Sequence, residues 1–173
     1  MTPPGATLAD RIAGAYRPGP YRLPDGSTLH TYFDPYRLAG DPALLAETAA
    51  ALAGLLPNDT EAVAGPALAG VPLVTAVSLH TGLPAAFVRP APKTHGTRQQ
   101  VEGADLNGRR TVLLDDTARS GASILRSAWL LRIAGARVAT AVCVLDRDAG
   151  ATPLLAGHRL ALHALVRDPA GAR

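Results

Sequence analysis

The sequence predicts an α/β fold, a mainly parallel sheet flanked by helices, with a small N-terminal cap over residues 1–40 and a core over 41–173. Three observations carry this prediction. Short apolar runs alternate along the chain with segments whose apolar residues recur at helical spacing, the pattern of strands joined by crossover helices. The runs are continuous instead of alternating, as in strands buried on both faces. The chain has 173 residues, 47% hydrophobic and 18% charged, which is the length and composition of one globular domain with a sizeable core.

Taken in order, residues 7–16 read as a short helix. Residues 18–27, PGPYRLPDGS, are turn-rich and open a hairpin that runs into LHTYF. Asp41 followed by Pro42 is a helix start, and Leu44, Leu45, Leu52, Leu55 and Leu56 continue at helical spacing until Pro57 stops them, so a helix is expected over 42–56. Then come a strand at 62–64, a helix at 68–81, strands at 85–88 and 111–114, a helix at 121–134 and a strand at 137–145. The one long non-periodic stretch, 89–107, is polar and rich in Gly and Pro. Stretches of that kind inside compact domains are usually lids or binding loops.

Composition excludes several classes of function. The 17 basic and 14 acidic residues give a net charge of +3, but the basic residues are scattered single arginines that form no track for a nucleic-acid backbone. The opening MTPPGATLADR lacks the basic and apolar regions of a signal peptide, and no uncharged stretch is long enough for a membrane span. Cys143, the only cysteine, lies within an apolar run and is expected to be a buried, inert thiol. A cytoplasmic protein with no nucleic-acid or membrane partner is expected. Of the basic residues, 16 are arginine and one, Lys93, is lysine.

The segment TVLLDDTARSGASI, residues 111–124, carries the strongest chemical signal. An apolar strand ends in two acids, Asp115 and Asp116, and a small-residue turn then enters a helix. The turn and the helix N-terminus offer backbone N–H groups and a positive dipole end to a phosphate, and Ser120 and Ser123 add hydroxyl donors. The acids would face ligand donors, such as the two hydroxyls of a ribose, or would help position a hydrated magnesium ion. The plain alternative is a strand end followed by an Asp-capped turn.

This segment resembles the phosphoribosyl pyrophosphate motif of the type I phosphoribosyltransferases. GPALAGVPLVTAVS (65–78), GLPAAFVR (82–89), KTHGT (93–97) and VEG (101–103) resemble, in this order, the orotate phosphoribosyltransferases, and so does TyrPheAsp (32–34). The resemblance implies the type I phosphoribosyltransferase fold as a single domain over 1–173, with residues 1–40 as its hood. It also implies transfer of phosphoribose from phosphoribosyl pyrophosphate to orotate, giving orotidine 5'-monophosphate and pyrophosphate in pyrimidine nucleotide biosynthesis. The implied cofactor is Mg2+, held mainly through the substrate and not by a protein metal site, and the implied assembly is a homodimer with shared active sites.

Carried over residue by residue, Thr117, Ala118, Arg119, Ser120, Gly121, Ala122 and Ser123 form the phosphate loop after Asp115 and Asp116. Arg89, Lys93 and His95 match the basic residues of a mobile catalytic loop that closes over the pyrophosphate of a neighbouring subunit's site. Arg147, in LDRDAG, matches the arginine that pairs with the orotate carboxylate, the bland alternative being a surface arginine bound by Asp146 or Asp148. Tyr32 and Phe33 match an aromatic pair near the base, with core packing as the alternative, and Arg119 also lies where the base can be touched.

The chain departs from the family pattern at four places. Pro90 follows Arg89 where many relatives have lysine, Ala69 and the region of Pro24 lack a lysine, and Arg119 stands where threonine is usual. Arg119 could pair with the 5'-phosphate or obstruct the orotate site. The departures keep two other functions open, a phosphoribosyltransferase for another base and a catalytically weak sensor of phosphoribosyl pyrophosphate.

Overall fold

The computed structural model describes residues 5–22, 26, 28–96 and 98–168; Pro24 and Thr97 lie outside the described residues. Helix α1, Leu8–Ala13, is set by a capping box in which the Thr7 hydroxyl accepts from the Asp10 N–H and the Asp10 carboxylate accepts from the Thr7 N–H. It ends at Gly14, before the expected Tyr16, because Tyr16 is drawn into a ladder. Strands β1, Tyr16–Arg22, and β2, Thr28–Phe33, form the antiparallel hairpin, with Tyr16 opposite Phe33. The register shifts between Pro18 and Tyr21, where Pro18 and Pro20 have no N–H to give.

Two Asp-Pro pairs then start two helices. The Asp34 carboxylate accepts from the N–H groups of Tyr36 and Arg37 at the head of α2, Pro35–Ala39; Asp41 does the same for Ala43 and Leu44 at α3, Pro42–Ala53. Helix α2, five residues long, is too short to show periodicity in the sequence. Helix α3 stops at Gly54 and not at residue 56, although Leu55 and Leu56 still pack on the core beyond it.

The main sheet contains β3 (Ala62–Pro66), β4 (Ala85–Val88), β5 (Val101–Gly103), β6 (Arg110–Ala118), β7 (Arg137–Asp146) and β8 (Ala161–Arg167), in the order β5-β4-β3-β6-β7-β8. All its pairings are parallel except β4 with β5. Helices α4 (Gly70–Thr81), α5 (Ala122–Ile133) and α6 (Ala151–Gly157) are the remaining helices among the described residues. Strand β5 lies inside the stretch expected to be all loop, and α6 and β8 extend the βα alternation past the expected elements. Neighbouring strand residues go to opposite faces: Leu113 and Cys143 join α5 and α6, while Leu114, Val142 and Val144 join α3, α4 and the hairpin. Both faces are covered, which is why these strands read as unbroken apolar runs.

The chain order fixes where a ligand can enter. From β3 the sheet grows outward through β4, and the chain then returns to the other side of β3 as β6, so the direction of winding reverses between β3 and β6. The loops leaving these two strands diverge and open a crevice at their carboxyl ends. Gly65 keeps that end tight, since a Cβ there would lie 2.5 Å from the Leu114 carbonyl oxygen.

Candidate active site at the carboxyl ends of the strands

Asp115 and Asp116 lie at this reversal point. The structure corrects one expectation: β6 does not end before the acids but runs through them to Ala118, so they are held rigidly by the ladder to β7, with Asp115 opposite Cys143 and Thr117 opposite Leu145. Asp115 is 5% exposed and its Oδ1 accepts from the Asp116 N–H at 2.9 Å. Burial, reinforced by the adjacent Asp116 carboxylate, pushes the Asp115 carboxyl well above the usual carboxylate range. Asp116 is only half-buried, and its Oδ2 accepts from the Thr117 hydroxyl at 3.1 Å.

Residues 119–121 then turn the chain into α5. Gly121 is left-handed, with φ 80°, and a Cβ would meet Ala151 at 3.1 Å, so glycine is required there. No side chain caps α5, and the Ser120 hydroxyl accepts only a long 3.4 Å contact from the Ala122 N–H. Its first amides and the exposed Ser120 and Ser123 hydroxyls are therefore available to an anion. Arg119 is half-buried and makes no hydrogen bond or ion pair among the described residues.

Arg147 is the first residue beyond β7, and its N–H donates to the Ala118 carbonyl at 2.8 Å, which brings it to the same sheet edge as the acids. It is 5% exposed, and its guanidinium forms no ion pair with Asp146 or Asp148; the Asp146 carboxylate instead accepts from the Asp148 N–H at 2.9 Å. The guanidinium lies over the Tyr16 ring, 5.3 Å from its centroid, and Nη1 donates to the Tyr16 hydroxyl at 3.2 Å. No ion pair among the described residues includes Arg147.

The aromatic pair separates along β2. Phe33 is buried edge-on against Tyr16, with centroids 5.5 Å apart, so its side chain belongs to the core and only its backbone could face a base. Tyr32 is 41% exposed, packs tilted against Tyr21 with ring centroids 5.4 Å apart and has its phenol pKa raised, by partial burial first and then by the charges of Asp116 and Asp34.

The loop between β4 and β5 is an ordered hairpin at its base. The Arg89 N–H donates to the Gln100 carbonyl at 2.8 Å, the Gln100 side-chain amide donates to the Arg89 and Pro90 carbonyls at 3.1 and 3.3 Å, and the Arg126 guanidinium reaches the Pro90 carbonyl from α5. Lys93 Nζ is 2.6 Å from Glu102 Oε1, His95 is exposed, and the Arg89 Nε is buried without a hydrogen-bond partner among the described residues. No ion pair joins these loop cations to Asp115 or Asp116 among the described residues. A groove of about 560 Å³ between β5 and the end of α5, lined by Gln99, Val101, Leu106, Leu130 and Ile133 among others, includes none of the expected site residues.

Sequence reasoning missed Tyr16, Asp168, Glu102, Gln100 and Arg126. Tyr16 and Asp168 are 152 positions apart, so no local spacing joins them. Cys143 is buried, and burial raises its thiol pKa, in keeping with an inert core residue.

Residues 41–158 match the family of the phosphoribosyl transferase domain, well over half of the chain. The chain belongs to this phosphoribosyltransferase family. An orotate phosphoribosyltransferase of a Nocardioides species is 42% identical over 86% of this chain and 84% of its own, and one from Thermococcus gammatolerans is 40% identical over 83% and 79%. Among solved structures, the orotate phosphoribosyltransferase of Aeropyrum pernix superposes with a TM-score of 0.82 at 35% identity, covering 93% of both chains. The family and fold implied by the motif resemblance are thus borne out. In this phosphoribosyltransferase the two-acid strand, the uncapped helix and the basic hairpin lie at loops leaving β6 and β4, as the sheet order requires.

Proposed function

We propose that this phosphoribosyltransferase transfers the phosphoribosyl group of phosphoribosyl pyrophosphate to N1 of orotate, releasing pyrophosphate and forming orotidine 5'-monophosphate. The observation that carries the choice of base is Arg147, a buried guanidinium at the same sheet edge as the acid pair and in no ion pair among the described residues. A buried cation is costly unless an anion meets it, and the planar fork of arginine fits a planar carboxylate. The relatives named above as orotate phosphoribosyltransferases support the same reading.

In this mechanism the 5'-phosphate sits on the turn 119–123 and the α5 amides, Asp115 and Asp116 accept from the ribose hydroxyls, and Tyr32 flanks the base. Displacement at the anomeric carbon gives the ribose oxocarbenium character and leaves negative charge on the pyrophosphate. Arg89, Lys93 and His95 gather cations where that charge develops. Among the described residues no cluster of three or more metal-ligating side chains exists. The donor set here, one half-buried carboxylate, Asp116, beside a phosphate cradle, fits a magnesium ion that keeps its waters and is held by substrate oxygens. Bound there, magnesium would neutralise the charge of the pyrophosphate, and Asp116 is the residue that would help hold it.

The reading includes a homodimer in which the loop of one chain serves the site of the other, acting in pyrimidine biosynthesis in the cytoplasm. Among the described residues no helix is long and apolar enough to cross a membrane. Arg119, unpaired among the described residues and placed in the phosphate loop, favours a second reading, a transferase for another base. Pyrophosphate release measured with magnesium and phosphoribosyl pyrophosphate against orotate, uracil, adenine and hypoxanthine decides between them. Release with orotate alone is expected; release with another base instead supports the second reading, and binding without release supports a sensor.

A further inference from the structure

Arg147 is held by a chain of contacts that spans the whole sequence. The Tyr16 hydroxyl, at the start of β1 in the cap, donates to the Asp168 carboxylate just beyond β8. With its proton committed to Asp168, the phenol oxygen turns its lone pairs toward Arg147, whose Nη1 donates to it at 3.2 Å. The guanidinium carbon lies over the ring, 5.3 Å from its centroid, and Phe33 packs edge-on against that ring at 5.5 Å. Desolvation and the Asp168 hydrogen bond raise the Tyr16 phenol pKa, so the partner of Arg147 stays neutral.

From this geometry we propose that Tyr16 is a positioning residue for Arg147 and a determinant of base specificity, with Asp168 setting the direction of its hydroxyl. A neutral phenol orients the guanidinium without cancelling its charge, which a carboxylate in the same place would do. Among the described residues one of the five N–H donors of Arg147 makes a hydrogen bond, which leaves the rest of the fork for a planar anionic group on the base. The Asp168 charge, one hydrogen bond removed, offsets only part of the cost of the buried cation. The inference rests on the reading of Arg147 as the residue that meets the base carboxylate.

The test compares Tyr16→Phe, which keeps the ring and loses the hydroxyl, with Asp168→Asn, which keeps an acceptor and loses the charge. Tyr16→Phe is expected to raise the KM for orotate about tenfold, in line with one charge-assisted hydrogen bond, with the KM for phosphoribosyl pyrophosphate within about twofold. Asp168→Asn should give a smaller change of the same kind, and it serves alone if Tyr16→Phe does not fold. In an Arg147→Ala background neither change should add to the loss. Nitrogen NMR of the Arg147 guanidinium without substrate supplies a second readout: hindered rotation in the wild type, freed in Tyr16→Phe. Equal effects on both substrates, additivity with Arg147→Ala, or an unchanged guanidinium signal overturns the proposal. If the wild type releases no pyrophosphate with orotate, the functional reading falls while the guanidinium signal still decides the positioning role.

Discussion

Asp115 carries its carboxyl into the sheet against burial and against the neighbouring Asp116 charge, and both raise its pKa. A carboxyl with a folded pKa above its unfolded value favours folding in its protonated form. The favourable contribution is present below the unfolded pKa, near 3.8, and is lost as pH rises through the folded value. At neutral pH the native state therefore carries a penalty that Asp115→Asn removes, and the asparagine oxygen can still accept from the Asp116 N–H. Asp115→Asn is expected to unfold at a higher temperature than the wild type at pH 7, by about 2–4 °C for each kcal/mol relieved in a chain of this size, with the difference closing near pH 4. Together with Asp116→Asn it should abolish binding of phosphoribosyl pyrophosphate in calorimetry. A lower unfolding temperature at pH 7 would show that the charge is compensated in the fold. Arg147→Ala removes a guanidinium whose charge-assisted hydrogen bonds are worth about 1.5–3 kcal/mol each. It should raise the KM for orotate tenfold or more and leave that for phosphoribosyl pyrophosphate nearly unchanged; equal changes in both would make it a support of the fold.

At the scale of elements, the β4–β5 hairpin is ordered at its base by Gln100 and Arg126 and carries Lys93 and His95 beyond that anchor. If Lys93 neutralises the departing pyrophosphate, Lys93→Ala should lower kcat by on the order of 100-fold, as removal of one transition-state contact does, with little change in substrate affinity. A fall in affinity with kcat unchanged would place Lys93 in ground-state binding. Elements with strong local chemistry were legible in the sequence: the Asp41-Pro42 start of α3, the apolar run of β6, the glycine entry of α5. Others left no such trace. Strand β5 has three residues and pairs through its backbone, α2 has five and α6 seven, too few for a period to show. The acid pair and the phosphate turn are contiguous in sequence and were readable there. Phe33 was not separable from Tyr32 until strand alternation sent one ring inward and left the other at the crevice, and Arg147 gave no sign that a tyrosine from the cap would hold it.

For the molecule as a whole, the cap and the residue after β8 meet beside the end of β7 through Tyr16, Asp168 and Arg147, so on the proposed reading the base would be met by the cap and the edge of the sheet, and the phosphate by the middle of the sheet. The loop cations make no ion pair with the acid pair of their own chain among the described residues, and Lys93 rests on Glu102 of its own hairpin. The proposed homodimer, in which each loop covers the partner's crevice, reconciles a basic loop with an acid pair in the same chain to which it makes no ion pair among the described residues. The consequence is complementation. Lys93→Ala has an intact cradle and a disabled loop; the Asp115→Asn/Asp116→Asn double variant has the reverse. When equal amounts are mixed and exchange subunits, half of the dimers are mixed, and in each of these one site combines the intact loop with the intact acids while the other has neither. Activity should return to about a quarter of the wild-type value by this symmetry. Exchange can be followed independently by mass spectrometry of the two chains. If exchange is complete and the mixture stays inactive, the loop serves its own chain or Lys93 is a surface residue, and the shared-site dimer is wrong.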